Sequence, residues 1–405
     1  MAEEVWMLQT KKADFKQIGA RFRIDPVTAR IIRNRGIEGE AAIDRYLNGT
    51  LDDLYDPMLL KDMECAVSIL CEAVDTGKKI RIVGDYDIDG VCSTYILLQA
   101  FERLGSDVDF EIPDRIKDGY GINESIIEQA HADGVEVILT CDNGISAFHQ
   151  VELAKKYGMT VVITDHHEVP LDGEKEKIPP ADAVIDPKQA DCPYPFPEIC
   201  GAVVAYKLVQ VLYARRGVPQ MEWLDLLEFA AIATVGDVMK LQDENRILVK
   251  YGLKKMAQTK NLGLRRLAEK NNLDLGAITA YHIGFVIGPC LNAGGRLKTA
   301  KEALALLRAQ SEEEAERLAE ELKELNDTRK DMTEQGTEAA KLQVESWYQK
   351  DKVLVVFLPE CHESLAGIIA GRLREYYQKP AIVLTRGEEA VKGSGRSIDE
   401  YHMFK

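Results

Sequence analysis

Three aspartates on alternate positions, Asp85, Asp87 and Asp89, follow the run Ile80-Arg81-Ile82-Val83 in the stretch IRIVGDYDIDGVCSTYILL. Acids so spaced commonly hold a cation. The spacing also fits the opening of a calcium-binding loop between helices, which closes with a bidentate Glu at its twelfth position. Counted from Asp85, that position is Ile96, and the apolar, β-branched lead-in is a strand and not a helix. The acids therefore fall where a strand gives way to a helix, the edge at which open α/β sheets build their sites. A solvated acidic turn would carry the same letters.

Three further clusters lie at element ends. VEVILTCDNG puts Asp142 at the end of a strand, TVVITDHH puts Asp165, His166 and His167 at the end of the next, and FAAIATVGD puts Asp237 at the end of an apolar helix. Asp87, Asp89, Asp142, His166 and Asp237 can thus converge at one edge of one sheet. Crowded carboxylates repel one another and bind protons more tightly, and divalent cations remove that penalty. Two cations about 3.5–4 Å apart would clamp a phosphoryl group for in-line attack by an acidified water, with Asp142 as the expected bridging carboxylate. Imidazole ligation by His166 favours Mn2+ over Mg2+, which prefers oxygen-only shells. Phosphate handling has its own candidates. Gly294-Gly295-Arg296 in GPCLNAGGRL offers close backbone approach and a guanidinium fork. Arg115 follows the second strand, and Lys392–Ser397, KGSGRS, reads as a phosphate loop. Each of the three also fits a plain turn with an exposed Arg.

The elements that must position these residues follow from the pattern. Residues 1–75 read as helical, with turns at Asn34-Arg35-Gly36 and Asn48-Gly49-Thr50. Over 76–190, strands near 79–84, 107–112, 135–141, 159–164 and 182–185 alternate with helices near 91–104, 123–132 and 145–157. That alternation predicts an α/β fold with a mainly parallel sheet flanked by helices. A proline-rich loop at 187–199 leads into a helical part, 200–308, with helices at 201–215, 222–235 and 245–258, so that 76–308 reads as one domain. Residues 309–348 read as a long connecting helix with a thin apolar stripe of Leu318, Leu322, Leu325 and Met332. Residues 349–405 then begin a second α/β unit, with strands at 352–359 and 381–385 around a helix near 364–377.

Composition sets the bounds. A chain of 405 residues holds two or three domains. No run approaches about 18 consecutive apolar residues, so no membrane span is expected. The start, MAEEVWMLQ, lacks a basic region followed by an apolar core, so no signal peptide is expected; the cytoplasmic setting expected of the chain comes from its cysteines. Eight scattered cysteines without a CxxC pair fit a reduced protein with neither a zinc ribbon nor a disulfide frame. The net charge of −16 argues against coating nucleic acid by bulk charge. Basic runs at 11–35 and 246–270 fit either local basic faces on an acidic protein or solvated helix faces, and Glu312–Glu324, in the acidic segment Glu312–Glu345, reads as a solvated helix face. His131, His149, His282 and His402 lack partner acids at a ligating spacing, and Trp6, Trp223 and Trp347 read as core or interface.

GDYDIDG, CDNG, TDHH and TVGD, in that order and spacing, resemble the four motifs of the DHH phosphoesterases. Flanking segments, among them NRGIEGEAAIDRYLNG, DPKQADCPYPF, CGAVVAYKL, LNAGGRL and CHESLAGIIAGRL, resemble the RecJ family within them. The resemblance covers nearly the whole chain. It implies a 5′-to-3′ exonuclease specific for single-stranded DNA, acting in DNA repair and recombination with two Mn2+ ions, Mg2+ being the alternative. It implies metal ligation by Asp87, Asp89, Asp142, His166 and Asp237. Asp85 and His167 would lie in or against that shell, or His167 would touch the scissile phosphate. Arg296 would hold a backbone phosphate, and Arg115, Ser394 and Arg396 would receive the 5′ phosphate of the strand. The partners implied are single-stranded DNA with a 5′ phosphate, a helicase and a single-strand-binding protein. The cleft between the DHH domain and the DHH-associated domain would admit one strand, gripped by stacking and phosphate contacts.

Three departures qualify the resemblance. Val83 stands where the phosphatase branch has His, which argues against a pyrophosphatase site. Cys290 stands where many relatives have Arg, so one phosphate contact is expected to be missing. A GGHxxAAG segment and an oligonucleotide-binding barrel do not follow, so 349–405 is expected to be a partial DHH-associated domain of a truncated chain. Two other readings carry the same motifs: a small-substrate DHH phosphodiesterase acting on cyclic dinucleotides or nanoRNA, and a catalytically impaired nucleic-acid-binding fragment. Retention of every ligand acid weighs against the second.

Overall fold

The computed structural model describes residues 7–387 and 390–403, so Trp6 lies outside it. Strand β1 (Ile80–Val83) is buried at every position, as a run without alternation must be when both faces of a sheet are covered. β2 (Val108–Glu111), β3 (Val137–Cys141) and β4 (Thr160–Thr164) follow, each after a helix. β5 (Leu171–Asp172) and β6 (Lys175–Glu176) form a small separate hairpin, and β7 (Ala183–Ile185) completes the main sheet. Its order is β2-β1-β3-β4-β7, and all four pairings are parallel. The intervening helices span Ile88–Arg103, Glu124–Ala132 and Phe148–Lys156. Period-two alternation splits the strands between two cores. Ile80, Ile82, Leu139 and Val162 face the helices Ile88–Arg103 and Gly201–Arg215. Ile138, Val161, Ile163 and Val184 face Ile126, Ile127 and Val151.

From β1 the chain steps to β2 on one side and then crosses back to β3 on the other. The crevice beyond the carboxyl ends of β1 and β3 is therefore the switch point of the sheet, where ligands of such folds bind. Asp85 to Asp89 leave β1 there, Asp142 leaves β3, and Asp165 to His167 leave β4.

The helical part covers one face of this sheet. The helix expected at 222–235 is two helices, Gln220–Leu224 and Leu227–Gly236. The break falls at Asp225, whose carboxylate is held by Lys255 and by Lys260. The N-terminal helices Phe15–Phe22, Pro26–Asn34 and Glu40–Asn48 surround a small core of their own, Ile32, Ile37 and Ile43. Met63–Thr76 instead contributes Met63, Val67 and Leu70 to the main core. No described helix is long and apolar enough to cross a membrane, and all eight cysteines are free.

The long helix runs from Glu312 to Gln343, capped by Ser311, whose side chain accepts from Glu314 N. Its acidic face is not merely solvated. Glu312 meets Arg265 and Arg266, and Glu316 and Glu320 meet Lys270, so the second basic run is largely neutralised within the chain. Beyond it lie β8 (Leu354–Phe357), the helix Glu363–Tyr377, β9 (Ala381–Arg386) and β10 (Val391–Arg396). β8 and β9 are parallel, and β10 returns antiparallel along β9. The expected phosphate loop at Lys392–Ser397 is thus mostly an edge strand. Its glycines serve close packing and not a turn: a Cβ on Gly393 would lie 2.5 Å from Leu384 Cδ2.

Gly90 is similarly constrained, because a Cβ there would fall 2.3 Å from the Asp85 carbonyl oxygen. Backbone cannot yield as a flexible side chain would, and overpacking of this kind costs about 1–3 kcal/mol. Gly90→Ala is expected to lower the thermal midpoint by several degrees and to displace the Asp85–Asp89 turn. Calorimetry together with Mn2+ titration checks both effects. An unchanged melting curve with unchanged Mn2+ affinity would contradict this account of the turn.

Candidate metal centre and cationic cleft

Two helix starts fix the first acids. Asp87 caps the helix Ile88–Arg103, its Oδ1 accepting from Asp89 N at 2.9 Å and Gly90 N at 3.2 Å. Asp89 points across to another helix, accepting from Gly201 N at 2.7 Å and Ala202 N at 2.8 Å. Its carboxylate thus sits at the positive end of Gly201–Arg215, where the first backbone N–H groups need acceptors. Gly201 is forced by the neighbouring acid, since a Cβ there would come within 2.7 Å of Asp142 Cβ.

Asp142 adopts the left-handed conformation, φ 61°, which Asp tolerates better than most side chains. Strain of this kind concentrates at functional sites. Around it, Asp142 N donates to Thr164 O at 3.1 Å and Tyr120 Oη donates to Asp142 O at 2.7 Å. The buried Asn143 amide binds Val83 O and Cys141 O and accepts from Ile122 N, stapling β1, β3 and the 119–122 turn together. His166 Nε2 lies 3.0 Å from Asp142 Oδ1, 3.4 Å from Asp89 Oδ2 and 3.8 Å from Asp237 Oδ2. Asp237 follows the last residue of Leu227–Gly236, the negative end of that helix, where a carboxylate is least welcome.

The five acids and His166 therefore share one pocket. Three sets of donor atoms lie within 4.8 Å of one another: Asp85, Asp87 and Asp142; Asp89, His166 and Asp237; and Asp142, His166 and His167. Asp142 belongs to two of the three. Burial, and then the charge of Asp87, pushes Asp85 up to about 7. Burial and Asp89 push Asp237 up to about 7, raise Asp87, and carry Asp142 well above the carboxylate range. His166 Nδ1 is buried without a hydrogen-bond partner among the described residues. The nearby Cys141 thiol is driven by burial to about 12 and stays neutral. Carboxylates and imidazole without thiolate are a donor set suited to Mn2+ or Mg2+, and the unrelieved repulsion is what a cation would remove.

His167 behaves differently from His166. Burial opposes its protonation, but Asp165 Oδ1 at 2.7 Å from Nδ1 outweighs it and lifts His167 to about 9. Asp165 also accepts from Ile145 N, His166 N and His167 N. Burial alone would raise Asp165, but the His167 bond and charge hold it below its ordinary value. Asp165 thus orients an imidazolium that is 44% exposed on the open side of the pocket. Behind it, Asp186 is fully buried with Oδ2 unpartnered among the described residues, and burial and Asp165 push it up to about 7. Sequence reading passed over Asp186, although AVID ends a strand just as the other motifs do.

A cationic counterpart lies beside the acids. Arg296, near the end of the helix Gly288–Leu297, is driven down to about 10 by burial and by Arg115 and Arg329. Its Nη1 donates to Ser364 O at 3.0 Å, crossing from the sheet domain to the second α/β unit. Gly295 lets this helix close on the Asp85–Asp89 turn, since a Cβ there would meet Tyr86 O at 2.2 Å. Arg115 lies over the Tyr86 ring at 3.9 Å, with its Nε buried and unpartnered among the described residues. Arg329, on the long helix, is lowered by burial and by Arg372 of the helix Glu363–Tyr377. Arg329 and Arg372 were missed in the sequence because each sits inside an ordinary helical pattern. Ser394 and Arg396 lie on β10 against Gly367, one turn beyond Ser364, with Arg396 Nη1 donating to Ser394 Oγ at 2.9 Å. No described contact joins them to Arg115. Cys290 is buried between Asn271 and Asn326.

Residues 79–234 match the model of the DHH family, N-terminal domain. The single-stranded-DNA-specific exonuclease RecJ of Bacillus subtilis is 36% identical over 403 residues, 99% of this chain and 50% of that protein. RecJ of Haemophilus influenzae is 35% identical over 401 residues, 95% of this chain and 68% of the relative. The chain thus spans half to two thirds of the length of these curated relatives. A crystal structure of exonuclease RecJ bound to manganese superposes with a TM-score of 0.74 at 33% identity, covering 85% of this chain and 84% of the other. RecJ from Thermus thermophilus in complex with Mn2+ superposes with a TM-score of 0.79 at 31% identity, covering 95% and 53%. The same protein with Mg2+ gives 0.70 at 29% identity, covering 95% and 51%.

The raised carboxyls tie stability to pH. Asp85 and Asp237 titrate near 7 in the fold against 3.8 in the free chain. Their favourable contribution is complete below about pH 4 and is lost as pH rises through 7. In EDTA, Asp237→Asn is expected to melt with the parent protein near pH 4 and several degrees above it at pH 8. Mn2+ at pH 8 should raise the parent midpoint and leave that of the variant nearly unchanged. Calorimetry at fixed ionic strength checks both, and a variant no more stable than the parent at pH 8 would contradict the repulsion described.

Proposed function

The chain belongs to the RecJ family of DHH phosphoesterases, and from that premise we propose that it hydrolyses single-stranded DNA from the 5′ end and releases 5′ mononucleotides. The observation that carries this reading is the meeting of five aspartates and His166 in one pocket with Arg296 and Arg115 alongside. Asp87, Asp89, Asp142, His166 and Asp237 would hold two Mn2+ ions, with Mg2+ as the alternative and Asp142 shared between them. Bound divalent cations supply charge neutralisation at the scissile phosphate and an acidified water. Asp85, against this shell, supplies further negative charge and accepts from Gly121 N.

The remaining chemistry is that of the chain. His167 keeps its proton at neutral pH because Asp165 fixes Nδ1, so Nε2 can donate to a phosphate oxygen during cleavage. Arg296, whose buried charge is poorly compensated within the chain, grips a backbone phosphate next to the acids. Arg115 receives the terminal 5′ phosphate, with Ser394 and Arg396 as the remainder of that pocket. Val83 at the end of β1 leaves no imidazole where a pyrophosphatase would need one. A run of guanidiniums from Arg115 through Arg296 and Arg329 to Arg372 suits a substrate with several phosphates, which favours a strand over a dinucleotide. The setting proposed is cytoplasmic DNA repair and recombination, with a helicase and a single-strand-binding protein delivering the strand.

Asp142→Ala is expected to reduce Mn2+-dependent release of mononucleotides from a long 5′-phosphorylated strand to the level seen in EDTA. Circular dichroism should show the fold retained. The parent protein should turn over that strand much faster than a dinucleotide. Arg296→Ala is expected to weaken strand binding by about 1.5–3 kcal/mol, the worth of a charge-assisted hydrogen bond, as read by fluorescence anisotropy in Ca2+. Normal turnover by Asp142→Ala would sink the assignment.

A further inference from the structure

A second site lies away from the metal centre. A cavity of about 370 Å3 opens between the helices Ile88–Arg103 and Leu227–Gly236 and the segment Lys260–Leu262. That volume is in the range that takes a small molecule. Glu228 lines it, only 3% exposed. Thr259 Oγ1 donates to Glu228 Oε1 at 2.7 Å, but Oε2 is buried with no partner among the described residues. Such an atom is costly unless something pairs with it. One wall is aromatic, with the rings of Tyr95 and Phe229 4.3 Å apart. Leu226, Leu262 and Leu307 supply apolar surface. The rim is positive: Lys255 and Lys260 share the single carboxylate of Asp225. The Lys260 side chain is 84% exposed and held only at 3.4 Å, so it is free to swing to a ligand.

These features specify the shape of an occupant. It has a flat body for the aromatic and apolar walls, an N–H donor edge for the buried carboxylate and an anionic end for the lysines. We propose that this cavity binds a nucleoside monophosphate, with the amino edge of the base on Glu228 and the phosphate at Lys260 and Lys255. The inference rests on the exonuclease reading only in that the reaction would supply this ligand as its product. Glu228 lies near the start of the ten-residue helix Leu227–Gly236, after whose end Asp237 stands. Roughly 1.5 Å of rise per residue puts the cavity most of that helix's length from the metal centre, outside its coordination sphere.

The test is calorimetric titration of the full chain with 5′-dGMP in EDTA, where the acidic pocket has no cation to hold a phosphate. Saturable binding is expected. Glu228→Gln and Lys260→Glu should each weaken it about tenfold or more, and Asp142→Asn should leave it unchanged. Deoxyribose 5-phosphate, which lacks the base, should bind at least about tenfold more weakly. Absence of saturable binding at millimolar ligand would overturn the proposal. So would binding that survives both cavity substitutions, that is lost in Asp142→Asn, or that deoxyribose 5-phosphate matches. DNA cleavage is not read in this experiment. A chain that binds the mononucleotide but cuts no strand refutes the exonuclease reading alone; one that cuts but binds none refutes this proposal alone.

Discussion

Like charges that have been taken out of water dominate this molecule. Five carboxylates meet at the switch point of a parallel sheet, and most are pushed toward protonation by burial and by one another. A polypeptide left to itself would turn such side chains outward. Here the surrounding backbone removes that freedom. Asp89 is tied to the first two N–H groups of Gly201–Arg215. Asp142 is held in a left-handed turn between Thr164, Tyr120 and the Asn143 staple. Glycines at 90, 201 and 295 exist because another residue's atoms already occupy the place of a Cβ. Rigidity is thus arranged first, and the electrostatic cost is accepted at the position where a cation would relieve it.

The opposite charge is managed with the same economy. The basic run near 265–270 spends itself on the acidic face of the long helix. Arg296, Arg115 and Arg329 are left facing one another with few acids to answer them. An acidic protein thereby keeps a local cationic lane without becoming a general polyanion binder.

Much of this was legible in the sequence because the same physics writes both. Strand ends at Val83, Cys141, Thr164 and Ile185 were readable from β-branched runs stopped by Asp, or by Gly and then Asp after Val83, and the sheet, all parallel, followed from the helices between them. The candidate acids stand at those ends, except Asp237, which the end of an apolar helix marks. What escaped was set by packing. KGSGRS contains turn residues, yet Gly393 and Gly395 lie in an edge strand, where a Cβ would crowd Leu384 of β9 at the first and Met403 at the second. The break at Asp225 depends on lysines some thirty residues later. Arg329 and Arg372 are surface letters on regular helices until two units of structure bring them together, and Asp186 is one more strand-end acid whose neighbours only the fold reveals.

The Arg296 bond to the carbonyl of Ser364 has a mechanical corollary. It is one neutral acceptor tying the helix Gly288–Leu297 to the second α/β unit, in a neighbourhood where Arg115, Arg296 and Arg329 repel one another. An anion placed between Arg296 and Arg329 would add a second tie to that joint, because one negative charge answers both guanidiniums.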